Sequence, residues 1–240
     1  MQKSHVKDAI IIAGGEGTRL RPITYEIPKP LVRLNGTPLI EYAISELERN
    51  GISTILLSIG YKSKQIIDYF EQTKNTHKAS ISYVVEEKPL GTGGAIRYAI
   101  NSSSFSGDVV IANADTVYSV DLNAMYKVHQ QEGSLVTIGT FVVDDVTGFG
   151  VVKTLGSRIT EFVEKPDPNN APSRIINAGI YIASPSLKSK LPQKESFSFE
   201  KDFLQVSCTK EVISAFPIDR FITVNSNEQL EKAEKILRNE

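Results

Sequence analysis

The sequence predicts an α/β fold: a Rossmann-like architecture with a mixed, mostly parallel central sheet and an added β-rich layer. Three observations carry this. Aliphatic runs without polar alternation recur up to residue 112, as strands buried on both faces require. Amphipathic segments of helical period separate them, the βαβ alternation of a parallel sheet. Beyond residue 132 the pattern changes to short β-rich pieces.

Residues 9–13, Ala-Ile-Ile-Ile-Ala, form the first strand, closed by glycines. Over residues 38–50, Leu39, Ile40, Ala43, Ile44 and Leu47 fall on one helical face, Pro38 suits a first turn and Gly51 a C-terminal cap. Residues 54–59 continue as a strand, 64–70 as a helix, 81–85 as a strand, 94–100 as a helix and 109–112 as a strand. Residues 121–132 form a helix with Asp121 as N-cap. The β-rich pieces are 135–143, 150–154, 159–163 and 175–182, read as a layer covering the substrate. A Pro/Asn loop over 165–172 is too short to link domains. Residues 228–239 end the chain as a charged helix. A single domain over 1–240 is expected, built of two halves, 1–120 and 121–240.

Composition narrows the function classes. The 240 residues are 40% hydrophobic and 23% charged, with a net charge of −1, which describes an ordinary folded chain with a mixed surface. Nucleic-acid binding generally leaves a basic field, and here the cations are scattered among as many acids. The single cysteine, Cys208, excludes an internal disulfide framework and a multi-cysteine metal site and suits a reducing cytoplasm. Residues 1–8 are polar, and the apolar run 9–13 is far too short for a signal segment or a membrane span. No nucleic acid or membrane partner is expected, and self-association is left open.

The chemistry concentrates after the first strand. In Ala13-Gly14-Gly15-Glu16-Gly17-Thr18-Arg19, the glycines let backbone N–H groups approach an anion closely, although glycines after a strand also make simple tight turns. The dinucleotide fingerprint fails, because the third glycine is replaced by Leu20 and no helix start follows. The P-loop fails for want of Lys-Ser or Lys-Thr. Arg19, Arg21 and Lys29, the last stiffened between Pro28 and Pro30, supply cations able to clamp a triphosphate.

Together, Gly14-Gly15-Glu16-Gly17-Thr18-Arg19-Leu20-Arg21-Pro22 and Pro28-Lys29-Pro30-Leu31 resemble the signature of sugar-1-phosphate nucleotidyltransferases. The resemblance spans nearly the whole chain. Glu87-Lys88-Pro89-Leu90-Gly91-Thr92-Gly93-Gly94-Ala95 is similar to the family's base-recognition loop, which adds Glu87, Pro89, Gly91, Thr92 and Asn113 to the nucleotide-binding candidates Ala13, Gly14, Gly15, Gly17, Thr18, Arg19 and Lys29. Asp115 stands where the family holds Mg²⁺ through an aspartate, preceded by Ala114 in place of glycine. Gly148-Phe149-Gly150, Phe162-Val163-Glu164-Lys165-Pro166 and Ile176-Asn177-Ala178-Gly179 match the sugar-side motifs, so Gly150, Glu164, Lys165, Asn177 and Gly179 are implied to bind the sugar phosphate. Arg19, Lys29, Asp115 and Lys165 inherit the catalytic roles.

The implied reaction joins a nucleoside triphosphate to a sugar 1-phosphate and releases pyrophosphate, with Mg²⁺ as cofactor. Residues 87–96 and 197–204 most resemble guanylyltransferases acting on D-glycero-D-manno-heptose 1-phosphate, then those acting on mannose 1-phosphate. Thymidylyl or uridylyl transfer to glucose 1-phosphate stays open, as does a non-catalytic regulatory homologue. One departure stands out: Thr223 occupies the place of the family's second metal-binding aspartate, leaving Asp219 or Asp202 as substitute ligands or Asp115 alone.

Overall fold

The computed structural model describes residues 6–73 and 76–238. Part of the polar opening stretch read over residues 1–8, and Asn239 of the expected last helix, lie outside them. Strand β1 (Asp8–Ala13) leads through a glycine loop and a 3₁₀ turn (Thr18–Leu20) into the one-turn helix α1 (Ile23–Glu26). A two-rung hairpin follows, β2 (Arg33–Leu34) and β3 (Thr37–Pro38). The alternating region contains α2 (Leu39–Arg49), β4 (Thr54–Ile59), α3 (Ser63–Thr73), β5 (Ser80–Val85), α4 (Gly91–Ser102) and β6 (Val109–Asn113). Next come β7 (Thr116–Ser119), α5 (Leu122–Gln131), β8 (Val136–Val142), β9 (Gly150–Leu155), β10 (Arg158–Glu164) and β11 (Ile175–Ala183). The chain continues through α6 (Leu187–Lys190), a wide helical turn (Phe199–Leu204), α7 (Gln205–Ser207), β12 (Ile213–Pro217), β13 (Arg220–Thr223) and α8 (Asn227–Arg238).

Nine strands make one sheet in the order β5-β4-β1-β6-β11-β8-β12-β10-β9. The strands from β5 to β6 are all parallel, with Ile11 of β1 beside Leu57 of β4 on one side and Ala112 of β6 on the other. At β11 the sense reverses, and antiparallel pairs dominate thereafter, apart from β8 with β12. A further pairing of β9 with β11 closes β11, β8, β12, β10 and β9 into a ring. The added β-rich part is therefore built as the second half of the same sheet.

Helix α2 has eleven residues, too few to be stable alone in water, and it persists because Ile40, Ala43, Ile44 and Leu47 are fully buried against the sheet. Each large aliphatic residue among them contributes about 1.5–3 kcal/mol through burial, more than helix propensity can. Helices α2, α3 and α5 cover one face of the sheet; α4, α6 and the wide turn cover the other. Asp121 caps α5 as expected, its Oδ1 accepting from the backbone N–H groups of Asn123 and Ala124. Among the described residues, no helix is long and apolar enough to cross a membrane.

Two differences from the sequence expectation matter for the site. Helix α4 starts at Gly91 rather than residue 94. Its glycines admit another segment: a Cβ on Gly93 would strike the Phe197 ring, and one on Gly91 would come within 2.6 Å of the Phe197 carbonyl oxygen. The N–H groups of Gly93 and Gly94 donate to that same carbonyl. The sequence pattern also does not announce the β2–β3 hairpin or strands β7, β12 and β13, and the short helix α1 begins at Ile23, where no helix start is expected. The β7–β13 ribbon, with Thr116 opposite Thr223 and Ser119 opposite Arg220, runs from the cleft to the far side of α2.

Candidate active site

The loop after β1 is shaped by Gly17, whose φ of +63° lies in the left-handed region. A Cβ there would also sit 2.8 Å from Cβ of Lys29, so the loop and Lys29 are pressed backbone to side chain. Thr24 Oγ1 donates to the Gly17 carbonyl (2.9 Å), and Tyr61 holds the loop from β4's side through its N–H to the Gly14 carbonyl (3.1 Å).

These contacts border a cavity of about 290 Å³ at the carboxyl ends of the parallel strands, where open α/β sheets bind ligands. Ala13, Gly15, Gly17, Thr18, Arg19, Lys29, Thr92, Asn113 and Asp115 line it. A second cavity, about 500 Å³, adjoins it and shares Arg19, Thr92, Asn113, Asp115 and Asn225; Gly91, Gly150, Glu164, Lys165, Asn177 and Gly179 line its far part. Residues separated by 160 positions thus meet in one cleft. Arg19 is exposed in it, and no ion pair to another described residue occupies its guanidinium.

Not every predicted residue arrives there. Glu87 and Pro89 are exposed, Glu87 beside a different hollow with Arg97 and Tyr98. The preceding residue, Glu86, borders the same hollow but also reaches the glycine loop, its carboxylate packed against Gly14. Ser58 Oγ donates to Glu86 Oε1 (3.0 Å), and burial pushes the carboxyl above its usual range, partly offset by hydrogen bonds from Ser58 and the Leu90 N–H. The first residue after a strand is the one the pleat can aim at the sheet's end, and that signal was available at Val85-Glu86. Arg21 also leaves the cleft: it pairs with Glu16 (3.4 Å) and lies over the Tyr25 ring.

In the larger cavity, Glu164 is mostly buried, one oxygen 3.2 Å from Lys165 Nζ and the other, Oε2, without a hydrogen-bond partner among the described residues. Gly150 leaves room for that oxygen, since a Cβ there would lie 2.8 Å from it. Burial first, then the nearby Glu200 carboxylate, pushes the Glu164 carboxyl up, against the pull of Lys165. Glu200 was not among the expected residues. Its Oε2 accepts from Thr92 Oγ1 (2.6 Å) and Ser198 Oγ (2.8 Å), which ties the start of α4 to the wall of the larger cavity. Asn177 is oriented by its own bonds, donating to the Tyr181 hydroxyl (2.8 Å) and accepting from the Gly179 N–H (3.0 Å).

Asp115 sits where the cavities meet. Thr116 Oγ1 donates to its Oδ1 (3.1 Å), and Lys29 Nζ donates both to Asp115 Oδ2 (2.5 Å) and to Asn225 Oδ1 (2.7 Å). Asn225 Nδ2 in turn donates to Thr223 Oγ1 (2.8 Å). Around Asp115 the available donors are carboxylate, amide and hydroxyl oxygens, a set suited to a hard divalent cation that completes its shell with phosphates and water. Among the described residues, no three His, Cys, Asp or Glu side chains gather as a self-sufficient metal site. The substitutes considered for the missing carboxylate lie elsewhere. Asp219 borders a separate cavity with Glu46 and Arg49, and Asp202 is spent on the Ser198 N–H (2.8 Å), capping the wide turn.

Comparison with known proteins agrees with this geometry. The nucleotidyl transferase family model matches residues 8–219. The chain is 35% identical over 232 residues to the D-glycero-alpha-D-manno-heptose 1-phosphate guanylyltransferase of Aneurinibacillus thermoaerophilus, covering 96% of this chain and 98% of that one. It is 30% identical over 217 residues to a mannose-1-phosphate guanyltransferase of Aspergillus oryzae, covering 89% of this chain but 59% of the longer relative. The crystal structure of HddC from Yersinia pseudotuberculosis complexed with GMP-PN superposes with a TM-score of 0.80 at 32% identity, covering 97% of this chain and 100% of that one. The chain belongs to the nucleotidyl transferase family.

Proposed function

We propose that this enzyme transfers a guanylyl group from GTP to a sugar 1-phosphate of the manno-heptose or mannose type, releasing pyrophosphate. The observation that carries the reading is the single cleft in which Arg19, Lys29 and Asp115 stand between a glycine-lined chamber and a sugar-side chamber bearing Glu164 and Lys165. A phosphate oxygen of the sugar 1-phosphate attacks the α-phosphorus of the triphosphate, and the bond from that phosphorus to the pyrophosphate oxygen breaks. No proton transfer or covalent enzyme intermediate is needed, so the protein's task is positioning and neutralising charge. Arg19 and Lys29 face the charge that grows on pyrophosphate; Lys165, 61% exposed at the chamber wall, grips the sugar phosphate. Mg²⁺, held by Asp115, supplies further neutralisation of the triphosphate when bound. One continuous sheet supports reading residues 1–120 and 121–240 as nucleotide and sugar-phosphate halves of one domain. A reducing cytoplasm suits the buried Cys208.

Glu86 supports guanine as the base. Guanine presents two adjacent donors, N1–H and the N2 amino group, which a carboxylate accepts as a pair, whereas uracil and thymine present one donor between two carbonyls and suit an amide. The test is pyrophosphate release across a grid of nucleoside triphosphates and sugar 1-phosphates. GTP with manno-heptose or mannose 1-phosphate is expected to give the highest kcat/KM. Glu86→Gln is expected to lower kcat/KM for GTP relative to UTP by about tenfold or more, the scale of one unpaired polar contact. A preference for UTP or dTTP in the wild type would overturn the base assignment.

The same assay addresses Lys165. Lys165→Ala is expected to raise the KM for the sugar 1-phosphate about tenfold or more with little change in the KM for the triphosphate. Equal rises in both would move Lys165 away from the sugar phosphate.

A further inference from the structure

Thr223 leaves the cleft one carboxylate short, yet two oxygens from different parts of the chain converge on a single cationic point. Asp115 Oδ2 and Asn225 Oδ1 lie 2.5 and 2.7 Å from the same nitrogen, Lys29 Nζ. We propose that Asn225 is the second protein ligand of the divalent cation, and that Lys29 holds the cation's place between Asp115 and Asn225 until the metal enters. The inference rests on the nucleotidyl transferase reading of the cleft.

Asn225 is built for this orientation. Its Nδ2 is committed to Thr223 Oγ1, and an ammonium can only donate, so the amide oxygen must face Lys29. The backbone around it is tied down as well. The Asn225 N–H donates to Gln229 Oε1 (2.8 Å), and the Val224 N–H donates to the carbonyl of Asp115 itself (3.1 Å). Asp115 and Asn225 are therefore held in register by a backbone bond that does not involve Lys29. Thr223 enters the arrangement as the acceptor that turns the Asn225 amide.

Lys29 is the movable part. Its backbone is stiffened by Pro28 and Pro30 and its Cβ is pressed against Gly17, so displacement falls to the outer methylenes and the ammonium. The Lys29 side chain is 12% exposed and lines the nucleotide chamber. When a divalent cation takes the oxygens, the ammonium can swing to a phosphate oxygen a short distance away. Metal alone then has to evict an ion-paired lysine with nowhere better to go, whereas metal arriving with a triphosphate gives the lysine a new partner. Metal and nucleotide consequently bind with positive coupling.

The test is Mn²⁺ binding without nucleotide, followed by the electron paramagnetic resonance signal of the free ion, on wild type, Lys29→Met, Lys29→Met/Asn225→Ala and Lys29→Met/Asn225→Asp. Thermal melts check that each variant is folded. Lys29→Met is expected to bind Mn²⁺ about tenfold or more tightly than wild type, a coupling of ordinary size. Adding Asn225→Ala is expected to cancel most of that gain, and adding Asn225→Asp to keep or extend it. No gain in Lys29→Met overturns the place-holding role, and a gain that survives Asn225→Ala overturns the ligand. If the alanine variant fails to fold, the aspartate variant decides: binding weaker than in Lys29→Met overturns the ligand. Wild-type turnover in the pyrophosphate assay is measured in parallel, so that failure of the enzyme reading is seen separately from failure of this inference.

Discussion

Asp115→Asn is expected to remove most of the turnover while leaving the fold intact. Asp115 is the carboxylate at the junction of the two chambers, and its neighbours there, Asn225, Thr116 and Thr223, are uncharged. With an amide in its place, the triphosphate would have to hold the cation almost unaided, and Lys29 would lose the anion that orients it. The complementary variant, Thr223→Asp, adds a carboxylate opposite Thr116 on the same ribbon, beside Asn225. It is expected to preserve or raise the rate and to lower the Mg²⁺ concentration giving half the maximal rate. Activity lost in Thr223→Asp with the fold intact would mean that position 223 does not face the metal. Pyrophosphate release against a Mg²⁺ titration reads both variants.

Arg19→Ala is expected to lower kcat about a hundredfold or more, the loss seen when one preorganised electrostatic group is removed from a developing charge. The structure sharpens this expectation, because two arginines of the same segment have different surroundings. Arg19 leaves the 3₁₀ turn into both chambers, and among the described residues no carboxylate pairs with it. Arg21, two residues on, is partly neutralised by Glu16 and stacked over Tyr25 outside the cleft. Arg21→Ala is therefore the control, expected to change kcat by no more than a few-fold. Rates of Arg19→Ala and Arg21→Ala falling together would place the catalytic cation elsewhere.

The parallel strands β1, β4, β5 and β6 and the helices α2 to α5 were legible in the sequence because each is specified locally, unlike α1 and the β2–β3 hairpin. Aliphatic runs buried on both faces, helical spacing in α2 and the Asp121 cap all act over a few residues. The ribbon strands β7 and β13 were not legible, since four residues, mostly buried in β7 and half-buried in β13, carry little period and the strands exist only through pairing with each other. The glycines at 91, 93 and 94 were visible, but their reason was not. Gly91 and Gly93 make room for Phe197 and Gly94 for the backbone of Glu195, contacts across more than 100 residues of chain that no local pattern reports.

The same division runs through the site. By itself the sequence marked out the glycine loop and the cations Arg19 and Lys29 by residue type, and Asp115 and Lys165 through the resemblance of their segments to the family's motifs. Only the tertiary structure decided that Glu86 rather than Glu87 turns toward the loop, that Glu200 joins the sugar-side wall, and that Asp202 and Asp219 lie elsewhere. It alone brought Asn225 to Lys29 across 196 positions. Residue types reveal which charges are present, but which oxygens share one cation depends on distances of a few ångströms, and those are set by how β13 packs beside β7.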